Sequence, residues 1–193
     1  MSVIPIRAPQ QWSDEQIKLT ATKNRRIAMN LLIEKYRQPL FRHALYILRD
    51  QDEAYDVVQE TYIRAIRETR IFEPEFRMKA WLFRVTKNLC LNQLRNTTRR
   101  AAILQANPQP DRQEPEQWQK MFEGEQAILM METLDKLSDD HREILVLRYY
   151  DELSYAEIAQ VLDIKLGTVM SRLSRARQNV QEILPSEFQE RDI

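Results

Sequence analysis

Glycine is nearly absent: Gly124 and Gly167 are the two in 193 residues. That excludes glycine-rich loops that cradle phosphates, and it argues against a many-turned β sandwich, whose tight hairpins draw on glycine for positive φ. A single cysteine, Cys90, allows no internal disulfide. His43 and His141 are the two histidines, too few to complete a Cys/His structural zinc site; both are expected to pack or lie on helix surfaces, and Cys90 to be buried as a small hydrophobe. No stretch approaches the ~20 apolar residues of a membrane span, and the first residues lack the apolar core of a secretory signal. A cytoplasmic protein in a reducing compartment is expected. No nucleophile–base pair, metal-ligand cluster or paired carboxylate stands out by its spacing, so an enzyme is the least favoured class and no cofactor is expected.

What the chain does have is charge: Lys+Arg 29 against Asp+Glu 29, for a formal net charge of zero. With 43% hydrophobic residues this is a globular composition rather than a disordered one. Length alone leaves one long module or two compact ones open. Pro5 and Pro9 mark a loose N-terminus, Pro108, Pro110 and Pro115 cluster mid-chain, and Pro185 closes the last periodic segment. The run 106–125 is rich in Pro, Gln and acids, and reads as a linker with a short helical piece around Trp118 and Phe122. The expected fold is all-α: an N-terminal helical bundle and a C-terminal helix-turn-helix bundle joined by a flexible linker.

In the first module Ala54, Val57, Val58, Thr61, Tyr62, Ala65 and Ile66 recur with helical period, predicting a helix over 53–68 with Asp50 and Asp52 at its positive end. Leu40, Phe41, Ala44, Leu45 and Leu48 form a similar stripe. Pro39 either opens that helix or kinks a longer one from about Ala28. Over 79–94, Leu82, Phe83, Val85, Leu89, Cys90 and Leu94 make a broad apolar face, opposite Arg84, Lys87, Asn88, Asn92, Arg95 and Arg99. In the second module Ser138 is the expected N-cap of DDHREILVLRYY, and Ser154-Tyr-Ala-Glu157 is a capping-box pattern. A short helix to Leu162, a turn at Asp163 and Ile164, and a helix opened by Leu166-Gly-Thr168 with Val169, Leu173, Ala176 and Val180 inward give the helix-turn-helix plan. Asp163 is a residue type that tolerates the left-handed conformation such a turn needs. The last helix then presents Thr168, Ser171, Arg172, Arg175 and Arg177, hydroxyls and guanidinium forks suited to phosphates and guanine edges.

The stretch TLDKLSDDHREILVLRYYDELSYAEIAQVLDIKLGTVMSRLSRARQNV resembles the promoter −35-binding region of bacterial extracytoplasmic-function sigma factors. DEAYDVVQETYIRAIRE followed by AWLFRVTKNLCLNQLR is similar to that family's other block, which binds core RNA polymerase and opens the −10 element. The resemblance implies domain bounds of 1–27 for an N-terminal extension, 28–99 and 127–184 for the two modules, 100–126 for the linker and 185–193 for a tail. It implies Asp56, Gln59, Glu60 and Arg64 as the polymerase surface. Phe76, Arg77, Lys79, Trp81, Arg84, Lys87, Asn88 and Asn92 are implied for capture of the unpaired −10 strand, where aromatics stack on bases, cations hold the backbone and amides read a flipped base. Trp81 serves equally well as core or stacking platform; Phe83 is assigned to core. Lys165, Thr168, Ser171, Arg172, Arg175 and Arg177 are implied for the −35 duplex.

Two residues depart from the family pattern: Met170 stands where many members carry Arg, and Ser174 where an aromatic or His is frequent. The implied partners are core RNA polymerase, promoter DNA and an anti-sigma protein, with no small-molecule substrate and no membrane insertion. Zero net charge predicts weak DNA binding by the isolated chain. The alternatives are a self-sufficient helix-turn-helix regulator, which predicts a basic dimeric DNA-binding domain and no polymerase affinity, and a decoy that mimics a sigma factor, which has no use for exposed Arg84, Asn88, Arg172 and Arg175.

Overall fold

A computed structural model describes residues 12–103, 133–134 and 136–184. Among them are seven α-helices and no strand, and the chain divides into two compact units at the Gln109–Pro110 boundary. The expected all-α architecture is what is found. The greater part of the expected linker, including Trp118 and Phe122, and the expected tail lie outside the described residues.

Four helices build the first unit: α1 (Asp14–Lys23), α2 (Arg25–Leu48), α3 (Gln51–Arg67) and α4 (Met78–Ile103). Helix α1 falls within the stretch read from the sequence as an N-terminal extension. Its Ser13 and Gln16 form a reciprocal capping box, and Ile17 is fully buried. Asp14 ties it to α2, accepting from Lys35 Nζ and the Tyr36 hydroxyl, each at 2.6 Å. Asn24 then ends α1 and caps α2. Pro39 lies inside α2 rather than at its start. The helix continues through it although proline removes one intrahelical N–H, because Tyr36, Leu40, Ala44 and Leu48 bury one continuous face.

Helix α3 starts at Asp50, whose Oδ1 accepts from Glu53 N at 2.8 Å. Its stripe buries Ala54, Val57, Val58, Thr61, Tyr62 and Ala65. Ile66, expected in that stripe, is instead 57% exposed, because at about 100° per residue it falls within about 20° of the exposed Tyr55, at the outer edge of the stripe. On α4, Leu82, Phe83, Thr86 and Cys90 are buried, and Leu94, expected in the same face, is exposed, as the helix has outrun its partners. Thr61 and Thr86 hydroxyls meet at 3.1 Å across α3 and α4, satisfying two buried polar groups. His43 is buried with its ring edge-on to Phe83 at 5.2 Å, the packing role expected of it.

Burial pushes the Cys90 thiol from an ordinary 9.0 up to about 12 and also raises the Tyr62 phenol. A raised folded pKa gives stability that is complete below the unfolded value and lost as pH climbs toward the folded one. Between about pH 9 and 12 the first unit should lose up to about 1.4 kcal/mol per pH unit through Cys90. Urea midpoints of the protein and of Cys90→Ala across that range check this: the variant should show the shallower decline. Rapid native-state reaction of the thiol with an aromatic disulfide at pH 8 would contradict it.

The second unit holds α5 (Asp139–Leu145), α6 (Tyr155–Leu162) and α7 (Leu166–Ile183). Ser138 stands at the N-cap of α5 as expected, without a side-chain cap bond. Past Leu145 the helix widens into a π-helical turn over Val146–Tyr150, where Asp151 N donates to Val146 O at 3.0 Å. Ser154 and Glu157 form the anticipated capping box. Asp163 adopts φ 55° and ψ 45°, the left-handed corner that lets α7 cross α6. Val169, Leu173, Ala176 and Val180 face inward as the periodicity requires. His141 lies 3.1 Å from Asn179 Nδ2, pinning α5 to α7.

Candidate nucleic-acid interface

Net neutrality conceals a segregation of charge by helix. Across its 26 residues α4 carries no carboxylate, whereas α3 holds Asp52, Glu53, Asp56 and Glu60. Helix α7 has Arg172, Arg175 and Arg177 and no acid before Glu182. Helices α4 and α7 thus present cationic side chains and α3 a cluster of carboxylates.

Arg77, just before α4, and Trp81, Arg84, Asn88 and Asn92 on it fall on one helical stripe. Arg77, Arg84, Asn88 and Asn92 are exposed and Trp81 is half-buried. Phe76, half-buried at the loop end, places its ring 6.0 Å from Trp81 with a 54° tilt. Trp81 therefore belongs to this stripe with one face toward solvent, while Phe83 is the core aromatic, fully buried. Lys87 borders the stripe, half-buried. Lys79 is not brought to it: in the first turn it sits on the packed side with Met78, Leu82 and Phe83, about half a turn away. Arg99 lies outside the described side chains.

The loop from Glu68 to Arg77 that carries Phe76 is gripped from a distance. Arg25 donates to Glu68 O at 2.8 Å and to Thr69 O at 3.1 Å, with its guanidinium 5.2 Å from the Phe72 ring centroid. Lys18 Nζ donates to Pro74 O at 2.6 Å, and Ile71 is fully buried beneath. Sequence reasoning missed Lys18 and Arg25. Their contacts lie 56 and 44 residues away, beyond any local pattern.

Asp56, Gln59 and Arg64 are exposed on α3 and Glu60 is half-buried. Arg64 Nε pairs with Glu60 Oε1 at 2.9 Å across one turn. Such an exposed pair is worth about 0.3–0.5 kcal/mol, little for a partner to displace. Between them Ile63 is 42% exposed and Ile66 follows one turn on, apolar points within the acidic face. Ile63 also escaped the sequence reading, though its register outside the buried stripe is a usable signal.

On α7 the N-terminus has Lys165 as N-cap, no side-chain cap bond and no acid in the first turn, so its positive end is open to an anion. Ser171 is exposed and its hydroxyl donates to Thr168 O at 3.1 Å. The three arginines are not equivalent. Arg172 is half-buried and pairs with Asp140 at 3.2 Å; Arg177 Nε donates to Leu173 O at 3.3 Å. Arg175 is exposed and makes no hydrogen bond or ion pair among the described residues.

Residues 32–100 match the family Sigma-70 region 2, and residues 127–180 match Sigma-70, region 4. An ECF RNA polymerase sigma factor, SigL of Mycobacterium tuberculosis, is 32% identical over 162 residues, covering 80% of this chain and 90% of its own. The chain belongs to the ECF family of RNA polymerase sigma factors. The RNA polymerase sigma-H factor of Pseudomonas aeruginosa is 29% identical over 191 residues, covering 90% of this sigma factor and 95% of its own length. Among solved structures it is similar to CnrH in complex with the cytosolic domain of CnrY (TM-score 0.61, 26% identity, 88% of this chain and 96% of that one). It is also similar to RpoE in complex with the anti-sigma factor NepR from Bartonella quintana (TM-score 0.56, 26% identity, 83% and 96%). The sigma factor is thus a transcription-initiation protein that works with core RNA polymerase and promoter DNA. No helix among the described residues is long and apolar enough to cross a membrane.

Proposed function

We propose that this sigma factor docks on core RNA polymerase through the Asp56–Arg64 face of α3, enters the −35 duplex with α7, and captures the unpaired −10 strand with the Phe76–Asn92 segment. The modules at 28–99 and 127–184 divide these tasks, with α1 and the start of α2 serving the first. The observation that carries the reading is the segregation of charge: a 26-residue helix without a carboxylate beside an acidic one. Phosphate chains need the first and a basic protein surface the second. Its work is recognition in the cytoplasm, with polymerase supplying the catalysis. An anti-sigma protein holds it inactive by covering these surfaces, as the solved complex of RpoE with NepR suggests by likeness.

Co-elution with core RNA polymerase on a sizing column tests the docking surface. Asp56→Ala/Glu60→Ala should weaken association at least about tenfold, since charge pairs buried at interfaces commonly contribute 1.5 kcal/mol or more. Unchanged co-elution of the variant would remove α3 from the docking role.

A further inference from the structure

Two large apolar side chains stand in water on the helix assigned to duplex DNA. Leu166 is 49% exposed and Met170 54% exposed, one turn apart on one flank of α7. Gly167 lies between them, and a Cβ there would meet nothing within 4 Å, so the surface beside the pair is open. Ser174 and Arg177 continue the same row, and Ser171 and Arg175 lie farther round the solvent side, about 100° and about 140° from Met170. An apolar pair inside a face that is otherwise hydroxyl and cationic, without a carboxylate before Glu182, matches a polyanion that carries an apolar point. The major groove offers one such point, the 5-methyl group of thymine. Methionine is suited to it, being flexible, polarizable and apolar to its tip, whereas an arginine in that place would seek a guanine edge or a phosphate.

We infer that Met170, backed by Leu166, contacts the methyl group of a thymine in the −35 duplex and sets a preference for thymine at one position. This rests on the assignment of α7 to that duplex. The pair adds a term to recognition that Arg175 does not supply.

The test uses holoenzyme reconstituted from core polymerase and the full chain. Duplexes are first selected from a pool randomised across the −35 element, and each thymine of the selected sequence is then replaced in turn by deoxyuridine, which removes the methyl alone. At one position the loss should weaken binding about fourfold, the scale of one buried methyl. Met170→Ala should weaken binding to the thymine duplex by a similar factor and bind the uracil duplex equally well; as an exposed position it should leave helicity unchanged. A pool that yields no −35 sequence overturns the assignment of α7 itself. A selected sequence indifferent to every uracil, or equally sensitive in Met170→Ala, overturns the methyl contact alone. Loss of core-polymerase association in Met170→Ala overturns it in favour of a protein surface as the occupant.

Discussion

Phe83→Ala should destabilise the first unit by about 3–5 kcal/mol, the cost of removing a large ring from a packed interior. Phe83 is fully buried, with the His43 ring edge-on to it from α2. Its loss removes apolar burial and also strips the aromatic contact from a buried, polar imidazole. A domain's whole stability is typically about 5–15 kcal/mol, so much of the variant should be unfolded under mild denaturant. Two residues away, Trp81→Ala should cost far less stability, because that side chain keeps a face in solvent. Urea titrations followed by circular dichroism measure both. Equal midpoints for the two variants would overturn the distinction drawn between these aromatics.

Arg175→Ala should lower promoter-directed transcription about 10- to 100-fold, the scale of one well-made contact to a base or phosphate, while core-polymerase association stays intact. The ranking of the three arginines follows from their surroundings. Arg172 is held by Asp140 and Arg177 by Leu173 O, so each must give up or share a contact to reach DNA, whereas Arg175 extends from the surface with none. Run-off transcription with Arg172→Ala, Arg175→Ala and Arg177→Ala should therefore show the deepest loss for Arg175. A deeper loss for Arg172 would mean that the Asp140 pair orients that guanidinium for binding.

Much of the helix-turn-helix was legible because its signals are local. Ser154 and Glu157 cap one helix, Asp163 turns the corner, and four inward residues of α7 recur at helical period. The α3 stripe was legible for the same reason, up to Ile66, whose spacing keeps the period while its angle falls at the stripe's outer edge. Helix α1 was missed although Ser13 and Gln16 have capping-box spacing, because a single fully buried residue, Ile17, makes no stripe. Pro39 was ambiguous because a proline reports its own φ and its missing N–H, whereas continuation of the helix depends on what the flanking turns bury. The site divided in the same way. Arg84, Asn88 and Asn92 follow from helical register, and Lys79 fails it by half a turn. The Arg172–Asp140 pair joins residues 32 positions apart, a distance that only packing closes.

The contacts of Lys18 and Arg25 with Pro74, Glu68 and Thr69 bear on what strand capture costs. A loop left to wander would have to be ordered at the moment DNA binds, at about 1–2 kcal/mol per residue of lost backbone freedom. Here folding meets that entropy in advance, with carbonyls from Glu68 to Pro74 already held when polymerase and promoter arrive. In the proposed strand capture, more of the free energy of stacking a base against Phe76 and Trp81 is then left to oppose the duplex it must come from.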